Sequence, residues 1–410
     1  MRVLAINTEF ARGGAARISS TLHRCLQARE DVEPLFVYGR GAAPPDATAA
    51  RTGTVAEVYA HAVITRLTGL QCIGSPRSTR QLQRIVARFS PDIVHLHNIH
   101  GYFLDLSFLE FLSDLECHLV WTLHDAWALT GRCAYFFECT RWKTGCGHCP
   151  DLRRYPRTYV DSSSLMWKRK RAAISQLRHV KFVAPSRWLG EKAEEAYPRM
   201  GSTAVIPNGI RVDTFVPFDR GQARMKLGIP ADRPVIMTAA ADLNDPRKGV
   251  GYLLTALNAM ETPSAIVLTM GLDRGEFSPL PHGFEHRSLG YVTDLADLVL
   301  AYSAADVFCI TSLDENFPTT VLEAMACGTP IVGFSVGGIP EQVTTDCGIL
   351  VPVKDSHELA RALDRALQDR GRLREMSVGC RARAVSEYSI ETFCERYVGL
   401  YKSLLGKEAE

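Results

Sequence analysis

No run of apolar residues in this chain is long enough to span a bilayer, which takes about 20. The first residues do not read as a secretion signal either. Val3 to Ile6 is too short an apolar stretch, and Asn7, Glu9 and Arg12 follow at once. Net charge is almost absent: 47 Lys and Arg against 45 Asp and Glu leave +2, which gives no strong nucleic-acid affinity on its own. There is no internal repeat and no low-complexity tract, and the Pro/Ala-rich piece Gly41 to Ala50 reads as a loop. The glycine pair Gly13-Gly14 lacks the full GxGxxG pattern, so a dinucleotide site is a poor reading of it. With no signal peptide in view, the twelve cysteines are expected in a reducing, cytoplasmic setting, mostly as free thiols or metal ligands.

A chain of 410 residues with 46% hydrophobic and 22% charged residues is comfortable as two globular domains. Short apolar runs of strand length alternate with helical segments from Met1 to Asn7 onward, including Val32–Tyr38, Asp92–His97, Val120–Asp125, Val180–Pro185 and Ala204–Pro207. That alternation predicts an α/β protein with parallel sheets. The second half repeats it at Val235–Ala240, Ala265–Gly271 and Asp306–Thr311. Helices are expected at Asp294–Ala304, Asp355–Gln368, Gly371–Glu387 and Ile390–Leu405.

The stretch Glu315 to Glu341, ENFPTTVLEAMACGTPIVGFSVGGIPE, organises the rest. After the Asp306–Thr311 strand, Pro318 suits the first turn of a helix, where its missing N–H would be unpaired anyway. Backbone N–H groups at Thr319 and Thr320 then point out of a helix N-terminus, a ready place for phosphate. Glu323 lies about one turn further in, and its two oxygens can accept from a sugar diol. Gly328 and Pro330 end the helix, Ile331–Phe334 reads as a strand, and Gly337, Gly338 and Pro340 turn into another helix.

Two glutamates separated by seven residues, followed by EAMACGTPIVG and GGIPE, closely resemble the retaining glycosyltransferases of family four, the group that includes sucrose synthases. The resemblance implies the GT-B fold, two Rossmann-like lobes facing a cleft. Its expected boundaries are an acceptor-side lobe over 1–207, a nucleotide-sugar lobe over 208–387, and a last helix over 388–410 that crosses back to the first lobe. IPNGIRVDTF around Asn208-Gly209 resembles the family's hinge. The implied donor site is Gly14, Arg247, Lys248, Gly271 and Glu315–Val321 (Asn316, Phe317, Pro318, Thr319 and Thr320 between), with Glu323 on the ribose and Glu315 on the donor sugar. The family usually places an Arg two residues after the Val235 strand, where Asp242 stands here. Arg247 beside Lys248 is the expected compensation. The Gly290-Tyr291-Val292 loop matches one near the nucleobase.

Ligands of parallel sheets bind at the carboxyl ends of the strands. His95, His97, Asn98 and His100 fall at one such end, and His124-Asp125 at another. By resemblance His124 contacts the transferred sugar near its anomeric centre, and His97, Asn98 and His100 are expected on the acceptor side. Cys133, Cys139, Cys146 and Cys149, in an insert over about 131–152, have spacing suited to a structural zinc, with His148 a possible substitute ligand. The insert looks irregular and short of apolar residues, and it resembles a subgroup tied to colanic-acid and other exopolysaccharide synthesis. Lys168, Arg169, Lys170 and Arg171, with Arg153, Arg154 and Arg157, read as a solvated helix face or as a dock for inner-membrane lipids or a lipid diphosphate.

The expected activity is hexosyl transfer from a nucleoside-diphosphate sugar to a glycan or polyprenyl-linked oligosaccharide, with retention and without a cofactor or catalytic metal. Nucleic acid is not an expected partner. The alternatives are a nucleotide-sugar epimerase of the same architecture and a zinc-containing nucleic-acid module, which would bind oligonucleotides in a salt-dependent way.

Overall fold

A computed structural model describes residues 1–406. They fold as two compact units: residues 1–207 with the chain from Phe393 onward, and residues 208–392.

The first unit is built on a seven-stranded, all-parallel sheet. Its elements run β1 (Arg2–Glu9), α1 (Gly14–Gln27), β2 (Glu33–Arg40), β3 (Ala49–Arg51), α2 (Val55–Thr68), α3 (Pro76–Phe89), β4 (Ile93–Leu96), α4 (Ser107–Ser113), β5 (His118–Thr122), α5 (Ser163–Ser175), β6 (Val180–Ala184), α6 (Arg187–Ala196) and β7 (Ala204–Val205). The sheet order is β3-β2-β1-β4-β5-β6-β7. Register is set from both flanks of β1, with Leu4 opposite Leu35 on one side and Val94 on the other. Strands covered on both faces read as continuous apolar runs, and Val3, Leu4, Ile6, Val94 and Leu96 are all buried. The strand order reverses between β1 and β4, the place where parallel sheets open a crevice at their carboxyl ends.

The second unit follows with α7 (Arg220–Lys226), β8 (Val235–Asp242), α8 (Val250–Ala259), β9 (Ala265–Leu272), β10 (Phe284–Ser288), α9 (Leu295–Ala304), β11 (Val307–Ile310), α10 (Thr319–Ala326), β12 (Ile331–Phe334), α11 (Ile339–Gln342), β13 (Gly348–Val351), α12 (Ser356–Gln368) and α13 (Arg370–Tyr388), with α14 (Ile390–Leu404) last. Its six strands are parallel in the order β10-β9-β8-β11-β12-β13, and the reversal falls between β8 and β11.

Several sequence expectations shift in detail. The Gly41–Ala50 loop ends in β3, whose Ala49 pairs with Phe36. Pro318 is the cap residue before α10 rather than its first helical position. The return to the first unit starts at Phe393 instead of 388, because Tyr388 and Ile390 are hydrogen-bonded to Ile210 in the second unit. Cys25 and Cys394 are paired as a disulfide that ties α1 to α14, an exception to the mostly free thiols expected; the other ten cysteines are free. His95 is not at a ligand end at all. It is fully buried within β4 and bonds Tyr401 of α14 through Nδ1 and Thr122 through Nε2, both at 2.7 Å. It is a structural anchor for the last helix. Among the described residues no helix is long and apolar enough to cross a membrane.

Candidate active site

In the second unit, the carboxyl ends of β8 and β11 bring Arg247, Lys248 and Glu315 together. Glu315 Oε1 accepts from Arg247 Nη1 and from Lys248 Nζ, each at 2.6 Å, and from Ser312 Oγ at 3.2 Å. Burial alone would raise the Glu315 carboxyl, but the Lys248 ammonium and the Arg247 guanidinium overcome it and hold the group at about 2. The side chain is therefore ionised throughout the range in which proteins work.

Two glycines explain why the motif has its form. Gly337 sits at φ +59°, and a Cβ there would lie 1.8 Å from the Glu315 carbonyl oxygen. Only glycine lets the GGIPE turn close on that backbone, and Gly338 N then donates to Glu315 O at 3.1 Å. Gly249, at φ +64°, brings the Lys248 turn against Thr311 O, where a Cβ would lie at 2.1 Å.

α10 begins directly after this cluster, and its N-terminus has no side-chain cap. Thr319, Thr320 and Val321 supply first-turn N–H groups, which a helix leaves without internal partners. The approach to the helix is fixed from two sides: Asn208 Nδ2 donates to Phe317 O at 3.0 Å and Gln342 Nε2 to Pro318 O at 3.1 Å. Asn316 is half-buried, and Phe317 packs its ring on Tyr388. Glu323, 4% exposed, lies inside α10 with Oε2 accepting from Tyr302 Oη at 2.8 Å. Gly271, next to last in β9, donates its N–H to Gly290 O at 2.7 Å, which joins it to the 290–292 loop. Asp242, at the end of β8, is held by Asn244 and faces Arg274 at 3.6 Å. Arg274 thus brings a guanidinium to the strand end where the resemblance led one to look for an Arg. Neither it nor Tyr302 carried a sequence signal, since both come from outside the motif.

In the first unit, the ends of β4 and β5 line a small pocket with His97, Asn98, His100, His124, Asp125 and Trp127. His97 Nδ1 and His124 Nε2 are 2.9 Å apart, so one ring donates and the other accepts. Burial, and after it the neighbouring His100, lower His124 to about 3; burial likewise lowers His97 well below its usual value. Both rings are neutral at ordinary pH. Asn98 N donates to Asn7 Oδ1 at 3.0 Å and its amide to Asp125 Oδ2 at 3.2 Å. His100 stacks on Trp127 at 5.1 Å and points Nε2 at Asp125, 3.5 Å away. Gly14 opens α1 beyond the end of β1, with nothing within 4 Å of where a Cβ would stand.

The cysteine insert is better anchored than its sequence suggests. Phe136 and Trp142 are buried and pack ring to ring at 5.0 Å. The Arg132 guanidinium is fully buried and donates to the carbonyls of Asp151, Leu152, Arg154 and Pro156, clamping the segment that follows. Burial raises the Cys133 thiol, and Cys149 and Cys139 add to it; burial raises Cys146 to about 11, with Cys133 and Cys139 contributing. Among the described residues no group of three or more His, Cys, Asp or Glu side chains is arranged to hold a metal ion, and His148 joins none. The basic run of α5 is not uniformly solvated. Lys170 is buried, with Nζ donating to Trp127 O at 2.5 Å and lying 3.9 Å over that ring.

Comparison with known proteins agrees with this architecture. Residues 12–214 match Glycosyltransferase Family 4, and residues 233–369 match Glycosyl transferases group 1. A glycosyl transferase assigned to colanic acid biosynthesis, WcaC of Escherichia coli strain K12, is 28% identical across 98% of this chain and its own full length. A D-inositol 3-phosphate glycosyltransferase of Saccharomonospora viridis is 35% identical over 39% of this chain and 41% of its own. Among solved structures, a sucrose-phosphate synthase from Thermosynechococcus elongatus superposes with a TM-score of 0.74 at 19% identity, covering 99% of each chain. HepE from Anabaena in complex with UDP-glucose superposes with a TM-score of 0.68 at 17% identity, covering 98% of this chain and 100% of its own. Two parallel Rossmann-like units, the ordered Glu315–Glu341 motif and matches along both halves have one explanation: the chain belongs to glycosyltransferase family four, and it is a GT-B glycosyltransferase related to the colanic-acid enzyme.

Proposed function

We propose that the protein moves a hexose from a nucleoside-diphosphate sugar to a glycan or polyprenyl-linked oligosaccharide, with retention, in exopolysaccharide or cell-surface polysaccharide synthesis. The observation that carries this reading is the pair of cations, Arg247 and Lys248, converging on Glu315 beside the uncapped start of α10. A departing diphosphate gains charge as the glycosidic bond breaks, and preplaced cations and N–H groups stabilise that charge without reorganising. Solved HepE structures hold UDP and UDP-glucose, which supports a donor of that class. Glu323 accepts from the ribose hydroxyls, Glu315 and the backbone from Asn316 to Val321 hold the sugar and diphosphate, and Gly14 and Gly271 allow close approach. His124 meets the transferred sugar, and His97, Asn98 and His100 face the acceptor. No residue of the sequence motifs stands out as a covalent nucleophile. The acceptor oxygen therefore attacks the anomeric carbon on the face the diphosphate leaves, and its proton passes to the departing phosphate oxygen. Catalysis in this reading uses no metal or cofactor, and the enzyme works in the cytoplasm at the inner face of the membrane, where donor and lipid-linked acceptor meet.

The test is a panel of nucleoside-diphosphate sugars, scored for thermal stabilisation and hydrolysis. A ligand that prefers the folded chain raises its melting temperature by mass action. Stabilisation by one nucleotide class, with release of its sugar, is the expected result; interconversion of the donor without release would favour the epimerase. Glu323→Gln keeps one acceptor oxygen of two, and donor affinity in calorimetry is expected to fall by about 1–3 kcal/mol. Unchanged affinity would remove Glu323 from the ribose.

A structural zinc in the insert belongs to the same reading on the spacing of Cys133, Cys139, Cys146 and Cys149 alone, since the structure does not gather these thiols around a metal position. The purified protein is expected to carry about one zinc per chain, released in the Cys146→Ser, Cys149→Ser double variant. Metal-free protein whose thiols all react would end that assignment.

A further inference from the structure

α2 is built inside out. The buried residues on this helix are His61 and Thr65, while Val55, Tyr59, Val63 and Leu67 are all more than half exposed. These four recur every fourth residue and form one stripe about 18 Å long, at 1.5 Å per residue. A helix of a soluble protein normally turns such a stripe inward. Here His61 holds the inward face by hydrogen bonds, with Nδ1 2.7 Å from Ser75 Oγ and Nε2 accepting from Ile73 N. The orientation is therefore locked.

The apolar surface continues past the end of the helix. Tyr159 N donates to Arg66 O at 2.8 Å and Ser162 Oγ to Thr68 O at 2.6 Å, which seats the 159–162 segment against the α2 terminus. Exposed Tyr159 and Val160 lie on that segment, and exposed Leu165 follows it in the first turn of α5. Positive charge borders the same surface. Arg157 lies over the Tyr159 ring at 5.5 Å, Arg66 is exposed on α2, and Lys168 and Arg169 stand one turn beyond Leu165 on α5. Residues 153–171 hold seven Lys or Arg against one Asp, in a chain with a total charge of only +2. The local acids are already engaged. Asp161 accepts from Cys149 N and Ser163 N, and Glu57 from Arg77 N.

We propose that the outward face of α2, with Tyr159, Val160 and Leu165 and the cations around them, docks the protein on an anionic lipid surface. An apolar stripe entering the headgroup boundary, flanked by cations, is the arrangement by which a helix lies in a membrane interface. The surface also leads back to the pocket of the first unit, since Arg132 clamps the 151–156 carbonyls and His100 stands 6.2 Å from Tyr155. The inference deepens the proposed lipid-linked acceptor, but it is measured without donor or acceptor. The two can therefore fail separately.

Purified full-length protein is sedimented with vesicles of phosphatidylcholine alone and of phosphatidylcholine with phosphatidylglycerol. Binding is expected only to the anionic vesicles, weakening in high salt. The triple variant Tyr59→Ser, Val63→Ser, Leu67→Ser is expected to bind at least about 10-fold more weakly with its melting temperature retained. Should that variant not fold, Tyr59→Trp serves instead: its emission is expected to shift to the blue on anionic vesicles. No sedimentation above the vesicle-free control, equal binding by the triple variant, or unshifted Tyr59→Trp emission would each overturn the proposal. A dimer that the triple substitution makes monomeric, without vesicle binding, would overturn it in favour of a second copy. Donor turnover in membrane-free solution reports on the proposed transfer reaction whichever way the vesicles behave.

Discussion

Lys248→Ala is expected to lower donor turnover by about 10²- to 10³-fold, the range typical for losing one preplaced group that meets developing charge. In the structure the ammonium spends its charge on Glu315 Oε1 at 2.6 Å, next to Arg247 on the same oxygen. This arrangement decides how the variant behaves. Removing Lys248 does not leave Glu315 as a bare buried carboxylate, because Arg247 and Ser312 still donate to it. The folded chain therefore loses little, and the melting temperature is expected to stay within a few degrees. In the proposed reaction the leaving diphosphate would lose one of two cations, and that cost falls on the rate. Initial rate and melting curve are measured on the same preparation. A wild-type rate would remove Lys248 from the reaction; an unfolded variant would mean that the lysine holds the site together instead. Lys248→Arg separates charge from shape, since a guanidinium keeps the charge but has a different reach and geometry.

What the sequence made legible depended on whether local pattern and tertiary packing asked for the same thing. Ile331–Phe334 was readable to the residue because a fully buried central strand is a pure apolar run between turn signals. The family resemblance put Glu315, Lys248 and Glu323 in one lobe, yet the reason for the motif's glycines is a contact: Gly337 against the Glu315 carbonyl. The orientation of α2 could not be read from periodicity. Its apolar spacing is helical, but the stripe faces out, and His61 and Thr65 fill the inside. His95 and His97 illustrate the limit most sharply. They are two residues apart on one segment, and a strand-end argument treats them alike. Tyr401, some 300 residues away in the chain, takes His95 for structure, while His97 reaches His124 in the pocket. The insert misled through composition: Phe136, Trp142 and the Arg132 clamp supply a hold that a count of apolar residues undervalues. Arg274 lay beyond reach, because only the fold of β8 beside β9 brings it to Asp242.

His124→Ala is expected to cut transfer by about 10²-fold while leaving nucleoside-diphosphate affinity near wild type. The size follows from positioning: a group that orients the reacting sugar costs about that much when a small displacement of the substrate is allowed. The selectivity follows from location, since the ring stands at the end of β5 in the first unit and the nucleotide-binding candidates belong to the second. The pH profile supplies the finer test. Burial and His100 lower His124 to about 3, and burial lowers His97 well below its usual value. The pair is therefore uncharged from pH 5 to pH 8, with one ring N–H shared between Nδ1 of His97 and Nε2 of His124. A neutral ring can donate or accept a hydrogen bond to a sugar hydroxyl, but it cannot act as a cation toward the phosphate. Turnover should then show no inflection near 6.5 that disappears in His124→Ala. Such an inflection, lost on substitution, would mean that His124 titrates during the reaction and would replace orientation with proton transfer. Loss of nucleotide binding in the variant would instead place the ring in the donor site, and wild-type transfer would remove it from the mechanism.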